Sequence, residues 1–493
     1  MAGPSRRGTH LIRAAIGSAA GLWLALAAAA TQAFDPARAA GDPPAAPAPS
    51  PSASISPQPI GLPLPPETSP APTFEPSPSP SPTPAPVAFA ASAIAVPLGH
   101  AESVPVLSPA SGILALSGFD PAVATVVFDG VDRTIDVTGL HAGVTTIVAT
   151  DLYGQAANLT VTVEPYAGKA YDTAAVTITG DPAGAQFVAE QAAHAANLVA
   201  YPVPGATVIA SAADVADARE LPADDIEVVH VPVSIEGPDL YPYHQSVTVM
   251  VRNLAQPQIA PKYVLVSDFP ETITQDGTLF YADVNPDAPV RLLYYHFAPD
   301  GAPLRRVLVK VQNNGVASSF LQLTAGIGGP DQNVLLVGHE STKRFLVEEA
   351  AGEGQIFEVP PDATINLVDQ LLPASELVSG LMQVRVVDGD GVRLAVVVQD
   401  ALDSPVEPIS DTLLSSAVEH ARGIYQVPDF DYDEDYIVGA PPTVLDIGKL
   451  PLPNLVQGDV LGGDYGVKQS ATVTLENGGD ADASVGMWLE PRG

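Results

Sequence analysis

Val137-Thr138-Gly139-Leu140-His141-Ala142-Gly143-Val144-Thr145-Thr146-Ile147 reads as one strand end, a tight turn and the start of the next strand. The glycines give a turn the backbone freedom it needs, and Thr145, Thr146 and Ile147 are β-branched residues suited to a pleated strand. On either side of it, short apolar runs recur at 111–116, 124–128, 134–137, 145–150 and 158–163. Asp129-Gly130 and Tyr153-Gly154 mark turns between them. Short strands spaced this regularly predict a β-sandwich over residues 87–165.

Asp120-Pro121-Ala122-Val123-Ala124-Thr125-Val126, the 137–147 stretch and Asp151-Leu152-Tyr153-Gly154 together resemble bacterial Ig-like domains of the second type. They are similar also to the N-terminal domain of pilus-assembly secretins. The resemblance covers about 80 residues and describes a fold rather than a chemistry. It implies a stalk or adhesion module, or a contact module of a secretion assembly. His141 falls in the variable part of the motif and is expected at the surface.

The N-terminus reads as an export leader. Arg6, Arg7 and Arg13 precede an uncharged run centred on Leu22, Trp23, Leu24 and Leu26, and Thr31-Gln32-Ala33 offers a small-residue cleavage site. Residues 1–33 are therefore expected to be a signal peptide, leaving no membrane span in the mature chain. Residues 34–86 follow as a linker. The stretch 43–86 holds 18 of the chain's 51 prolines, which favours an extended, semi-rigid spacer.

Residues 166–258 are expected to form a small α+β unit. The spacing of Val188, Ala192, Ala195 and Val199 predicts a helix beginning near Asp181-Pro182, laid across alternating strands. Three strands end in asparagine, at Asn253, Asn313 and Asn477, and the last two continue into Gly315 and Gly479. This weak internal repeat is similar to the strand–turn–strand of exported Ig-like adhesion modules. On it rest a larger β-sandwich over 259–406 and a C-terminal β unit over 407–493. With few strands available to cover Val473 and Leu475, the last unit is expected either to dock on 259–406 or to be incomplete. The fold class is thus mostly β: tandem Ig-like sandwiches after a leader and a linker, with one small α+β unit.

Charge and composition narrow the function. The chain has 493 residues and a net charge of −35, which repels phosphate backbones and excludes nucleic acid as a partner. Cysteine is absent, so disulfides and thiolate chemistry are excluded. Signatures of a nucleophile elbow, a zinc helix, a phosphate loop or a dinucleotide fold are missing from the sequence. No catalytic residue and no cofactor are expected.

Two constellations remain. Asp429, Asp431, Asp433 and Asp435 alternate along an acidic run and offer oxygen ligands for calcium, against the plainer reading of a solvated linker. Arg291, Tyr294, Tyr295, His296, Arg305, Arg306, Lys343 and Arg344 concentrate basic and aromatic side chains into a binding patch for a protein or a glycan, against ordinary surface charge balancing. The expected protein is exported (secreted, at the cell surface or in the periplasm), non-enzymatic, and serves adhesion, surface display or protein contact. A periplasmic component of a pilus or secretion assembly is the first alternative. A carbohydrate-active enzyme with its site in 259–406 is the second.

Overall fold

The computed structural model describes residues 9–17, 86–108, 114–405, 407–415, 422–426, 429–448, 451–456, 460–461 and 466–488. Most of the leader and the proline-rich segment up to residue 85 lie outside them. The chain divides into two compact units, residues 29–163 and residues 1–28 with 164–493.

The smaller unit is a sandwich of two four-stranded sheets. One runs in the order Ala88–Phe89, Ala101–Ser108, Thr134–Gly139, Ala124–Asp129, the other Ala93–Pro97, Ala156–Glu164, Gly143–Asp151, Leu114–Ser117. Inward positions alternate with solvated ones, so Ile135 and Val137 meet Ile147, Ala149, Leu159 and Val161 in one core. The motif works as a clasp at its rim. Thr145 accepts a hydrogen bond from the Asp120 amide at 2.7 Å, and the Asp120 carboxylate accepts from the Ala122 amide at 2.9 Å. His141 is exposed and bonds to the Ala122 carbonyl at 2.8 Å. Gly139 is needed for space rather than for an unusual dihedral: a Cβ there would lie 2.7 Å from a methyl of Val163 and 3.1 Å from the Pro97 carbonyl.

The larger unit is built on a ten-stranded sheet. Its order is Thr207–Ile209, Ile226–Glu236, Tyr243–Asn253, Thr173–Thr179, Gly354–Val359, Ser319–Asp331, Leu377–Asp388, Val290–Phe297, Tyr263–Thr272, Gly423–Gln426. One sheet therefore runs through all three stretches read as 166–258, 259–406 and 407–493. The joins are the antiparallel rungs Thr177↔Ile356 to Thr179↔Gly354, and Tyr263↔Gln426 to Val266↔Gly423. A second sheet, ordered Gly277–Val284, Val392–Asp400, Arg305–Asn313, Thr364–Leu372, covers one face of the central strands and closes the largest core.

Helix α1, Ala185–Leu198, starts after Gly184 rather than at Asp181-Pro182; it buries Val188, Ala192 and Ala195 as their spacing predicts and Phe187 besides, while Val199 falls just past its end. A second helix, α2, Val334–Ala351, was not expected within a β-sandwich. Asn333 caps it by accepting from the Leu336 amide, and Gly352 ends it in the left-handed conformation at φ 70°. It lies directly against the Ser319–Asp331 strand. A Cβ at Gly326 would sit 1.9 Å from the Ser341 carbonyl and one at Gly328 2.3 Å from that of Val337, so only glycine admits the helix.

The asparagine repeat acts through side chains rather than left-handed backbone. Asn313 Oδ1 accepts from the Gly315 amide and its Nδ2 donates to the Ala317 carbonyl; Asn477 does the same with Gly479 and Ala481. After the second turn the copies diverge: Ser319–Asp331 follows the first, while 481–488 form no strand.

Beyond the big sheet lies a three-stranded one, ordered Thr9–Gly17, Lys468–Glu476, Asp429–Ile437. Residues 9–17, inside the expected leader, are thus a strand on the outer edge of Lys468–Glu476.

Replacing Gly139 by Val should overpack the smaller unit and cost about 1–3 kcal/mol. Calorimetry of the whole chain should show one transition moving down while the larger unit's stays in place. An unchanged trace would mean that the Val163 contact relaxes freely.

Candidate functional site

The eight residues read as one patch do not form one. Val290–Phe297 is a central strand covered on both faces, by the second sheet and by α2, so Arg291, Tyr294, Tyr295 and His296 are all buried. Tyr294 donates to Gln370 Oε1, and burial raises its hydroxyl far above the ordinary range. Tyr295 donates to the Val334 carbonyl at 2.6 Å, and burial pushes it up to about 12. His296 lies against Ser267, stacked at 6.3 Å on Tyr294; burial, with repulsion from Arg422, lowers it to about 3, so it stays neutral. Arg305 pairs with Asp276 at 2.8 Å and Arg306 with Asp369 at 2.8 Å. Lys343 and Arg344 alone are exposed, on α2, and Arg344 donates to the Ile327 carbonyl. Apart from Lys343, these side chains are engaged with other parts of the fold.

Arg291 is the centre of a charge ring. Its guanidinium is 0% exposed, sits 5.2 Å over the Phe345 ring, bonds both Asp429 oxygens and reaches Glu349 at 3.5 Å. Lys468 closes the ring with Glu349 at 2.8 Å, and Asp429 and Lys468 are register partners on neighbouring strands. The ring therefore fixes the first rung of the C-terminal sheet to α2 and to the central strand.

That sheet presents the acidic run. Asp429–Ile437 is a strand, not a linker, so Asp431, Asp433 and Asp435 face solvent together at about 6.8 Å spacing. Asp429 shares that face but is held by Arg291. Calcium needs oxygens about 2.3–2.6 Å from the ion on several sides, and one extended strand separates its carboxylates too widely. Among the described residues no group of three or more His, Asp or Glu side chains is arranged to hold a metal. Register places Phe430, Tyr432, Glu434 and Tyr436 on the opposite face beside Gln469, Ala471, Val473 and Leu475.

Two further polar sites escape sequence reading because their partners are distant in the chain. A cleft of about 490 Å³ lies outside the second sheet, with Asp276, Thr278, Lys310, Gln399, Asp403 and Glu407 on its wall. Burial lowers Lys310, opposed by Glu407 and Asp369, and its Nζ donates to the Glu407 carbonyl at 2.8 Å. Gln399 donates to the Asp403 and Ser404 carbonyls. Just past the end of α2, Glu353 accepts the Gly184 amide at 2.6 Å and so caps the start of α1. Beside it, burial pushes Glu348 up to about 8. The Ala325 amide and Arg344 oppose the rise, and Glu190 and Glu353 add to it.

No protein-family model matches the chain, and no curated protein matches it. Solved structures with similar parts include domains 4 and 5 of the S-layer protein SbsC, at 19% identity over 17% of this chain and 53% of that one, TM-score 0.14. A longer form, rSbsC, matches at 14% over 33% and 25%, TM-score 0.17. The chain therefore spans about half of the first and a quarter of the second. The fibronectin(III)-like modules of Clostridium thermocellum CbhA match at 12% over 34% and 94%, TM-score 0.18. Bacteroides ovatus SGBP-B, solved with a mixed-linkage heptasaccharide, matches at 12% over 62% and 70%, TM-score 0.13. At these TM-scores the likenesses carry no argument. The fold itself, from its own sheets, is mostly β with an Ig-like sandwich in the smaller unit. Among the described residues no helix is long and apolar enough to cross a membrane.

Glu348 gives a pH signature with a definite sign. Folded, it keeps its proton up to about 8; unfolded, it releases it near the ordinary 4.5. The folded state then holds the extra proton, so this group's contribution to stability falls as pH rises through that window. Glu348→Gln should raise Tm at and above pH 8 and leave it unchanged below pH 4. An equal effect at both ends would assign the change to packing.

Proposed function

We propose that the chain is an exported, non-enzymatic protein that engages a protein or glycan partner by surface contact, in adhesion or surface display. One observation carries this reading. Arg291 and Arg305 are buried in ion pairs, and the half-buried Arg306 and Lys468 are paired as well, while carboxylates are presented outward in a row. The sheet bearing that row offers two chemistries. One face is anionic and suits a cationic protein surface; the other carries half-buried Tyr432 and Tyr436, whose rings suit stacking on sugar. The leader and proline-rich segment supply the export and the spacing.

The test is made on cells that produce the protein. Protease added to intact cells should remove it, and deleting the gene should lower attachment to surfaces. A D431N/D433N/D435N chain should restore abundance but not attachment. Recovery only after lysis, or attachment unchanged by deletion, would contradict the reading.

The cleft beside Lys310 supports a second reading, a carbohydrate-active enzyme, because it gathers Asp276, Asp403 and Glu407 around one opening. Release of reducing sugar from polysaccharide, abolished by D403N or E407Q, would establish it.

A further inference from the structure

The Lys468–Glu476 strand has one permanent neighbour and one conditional one. Its inner side pairs in parallel with Asp429–Ile437 over nine positions, beside the Arg291 ring. Its outer side pairs antiparallel with Thr9–Gly17 without a register shift, from Thr9↔Glu476 to Gly17↔Lys468. Residues 9–17 belong to the expected leader. Removal of the leader at Ala33 would take this strand away and, among the described residues, leave no other strand paired along those nine positions. The 481–488 segment does not fill it, since it forms no strand. An edge of that length is a template for another strand.

The sequence of the edge indicates which strand. Lys468-Gln469-Ser470-Ala471-Thr472-Val473-Thr474-Leu475-Glu476 is complementary to itself when reversed about Thr472. A second copy laid in the register now held by residues 9–17 sets Lys468 opposite Glu476 at both ends. Ser470 then meets Thr474, and Thr472 meets Thr472 on the two-fold axis. These lie on the polar face, where cross-strand opposite charges and threonine pairs stabilise a sheet. On the other face Ala471 meets Val473 and Gln469 meets Leu475, extending the row that includes Tyr432 and Tyr436. The contact is isologous and closes on itself, so it yields a dimer rather than a fibre.

We infer that the exported chain forms a two-fold dimer by pairing its Lys468–Glu476 edge with that of a second copy, and that the precursor's own residues 9–17 block this edge until the leader is removed. The inference rests on the leader reading given above.

The experiment compares the chain beginning at Phe34 with the whole chain from Met1, by sedimentation over a dilution series. The chain from Phe34 should dimerise, the whole chain should stay monomeric, and a peptide of residues 9–17 should dissociate the dimer. K468E and E476K each set like charges opposite and should weaken self-association roughly tenfold. An equimolar mixture of the two should restore the dimer, because each then faces its complement. T472K, which sets two cations on the axis, should give a folded monomer, with unfolding that matches the parent's. K468E also removes the Glu349 pair, so E476K and T472K serve as the variants that leave the ring intact. A chain from Phe34 that is monomeric throughout, or a T472K chain that still dimerises, overturns the proposal. Mass spectrometry of the exported protein tests the leader separately. An N-terminus retained at Met1 would refute cleavage, while the chain from Phe34 would still report on the edge.

Discussion

A single buried cation organises the larger unit. Arg291 stands on a strand covered on both sides, where an unpaired guanidinium would be strongly penalised. It is tolerated because Asp429, Glu349 and the Phe345 ring surround it, and because Lys468 balances the second carboxylate. Those groups come from a central strand, a helix and two C-terminal strands. Satisfying one charge therefore fixes four elements at once. The hydrophobic contact beside it, where Val264 and Val266 meet Tyr425, Leu452 and Val467, supplies the burial that the ring orients.

What this arrangement does for function is mechanical. A three-stranded sheet whose two C-terminal strands are mostly half-buried has little core of its own and is marginal alone. Tied at its first rung, it becomes a fixed platform with one acidic face, one aromatic face and an edge. On the function proposed above, a rigid platform matters more than a cleft.

The sequence displayed some of this and hid the rest for identifiable reasons. The Gly139–Thr145 motif and α1 were legible because turn glycine, β-branched residues and a 3.6-residue stripe are local signals. The asparagine turns were legible in position, though their mechanism is an Asx hydrogen bond rather than positive φ. Helix α2 carries local marks too, Asn333 before it and Gly352 after it, yet 259–406 was expected to be β throughout. The supposed patch failed at 290–297. Val290-Arg291-Leu292-Leu293-Tyr294-Tyr295-His296-Phe297 lacks the alternation of a half-solvated strand, which is the mark of one buried on both faces. Read that way, its arginine and histidine belong inside. The Arg291 ring, the Lys310 cleft and the Glu348 site had no local signal, because their partners lie 58 to 138 residues away in the first case and are met only through the fold.

The ring, not the C-terminal strands themselves, holds the platform rigid. Native-state amide hydrogen exchange on the Arg291→Met chain tests it most directly, since a methionine keeps the packing over Phe345 and removes the charge. Protection should collapse across Asp429–Ile437 and Lys468–Glu476, while Arg305–Asn313 and Val392–Asp400 stay as protected as in the unaltered chain. Unchanged protection in the two C-terminal strands would contradict the claim.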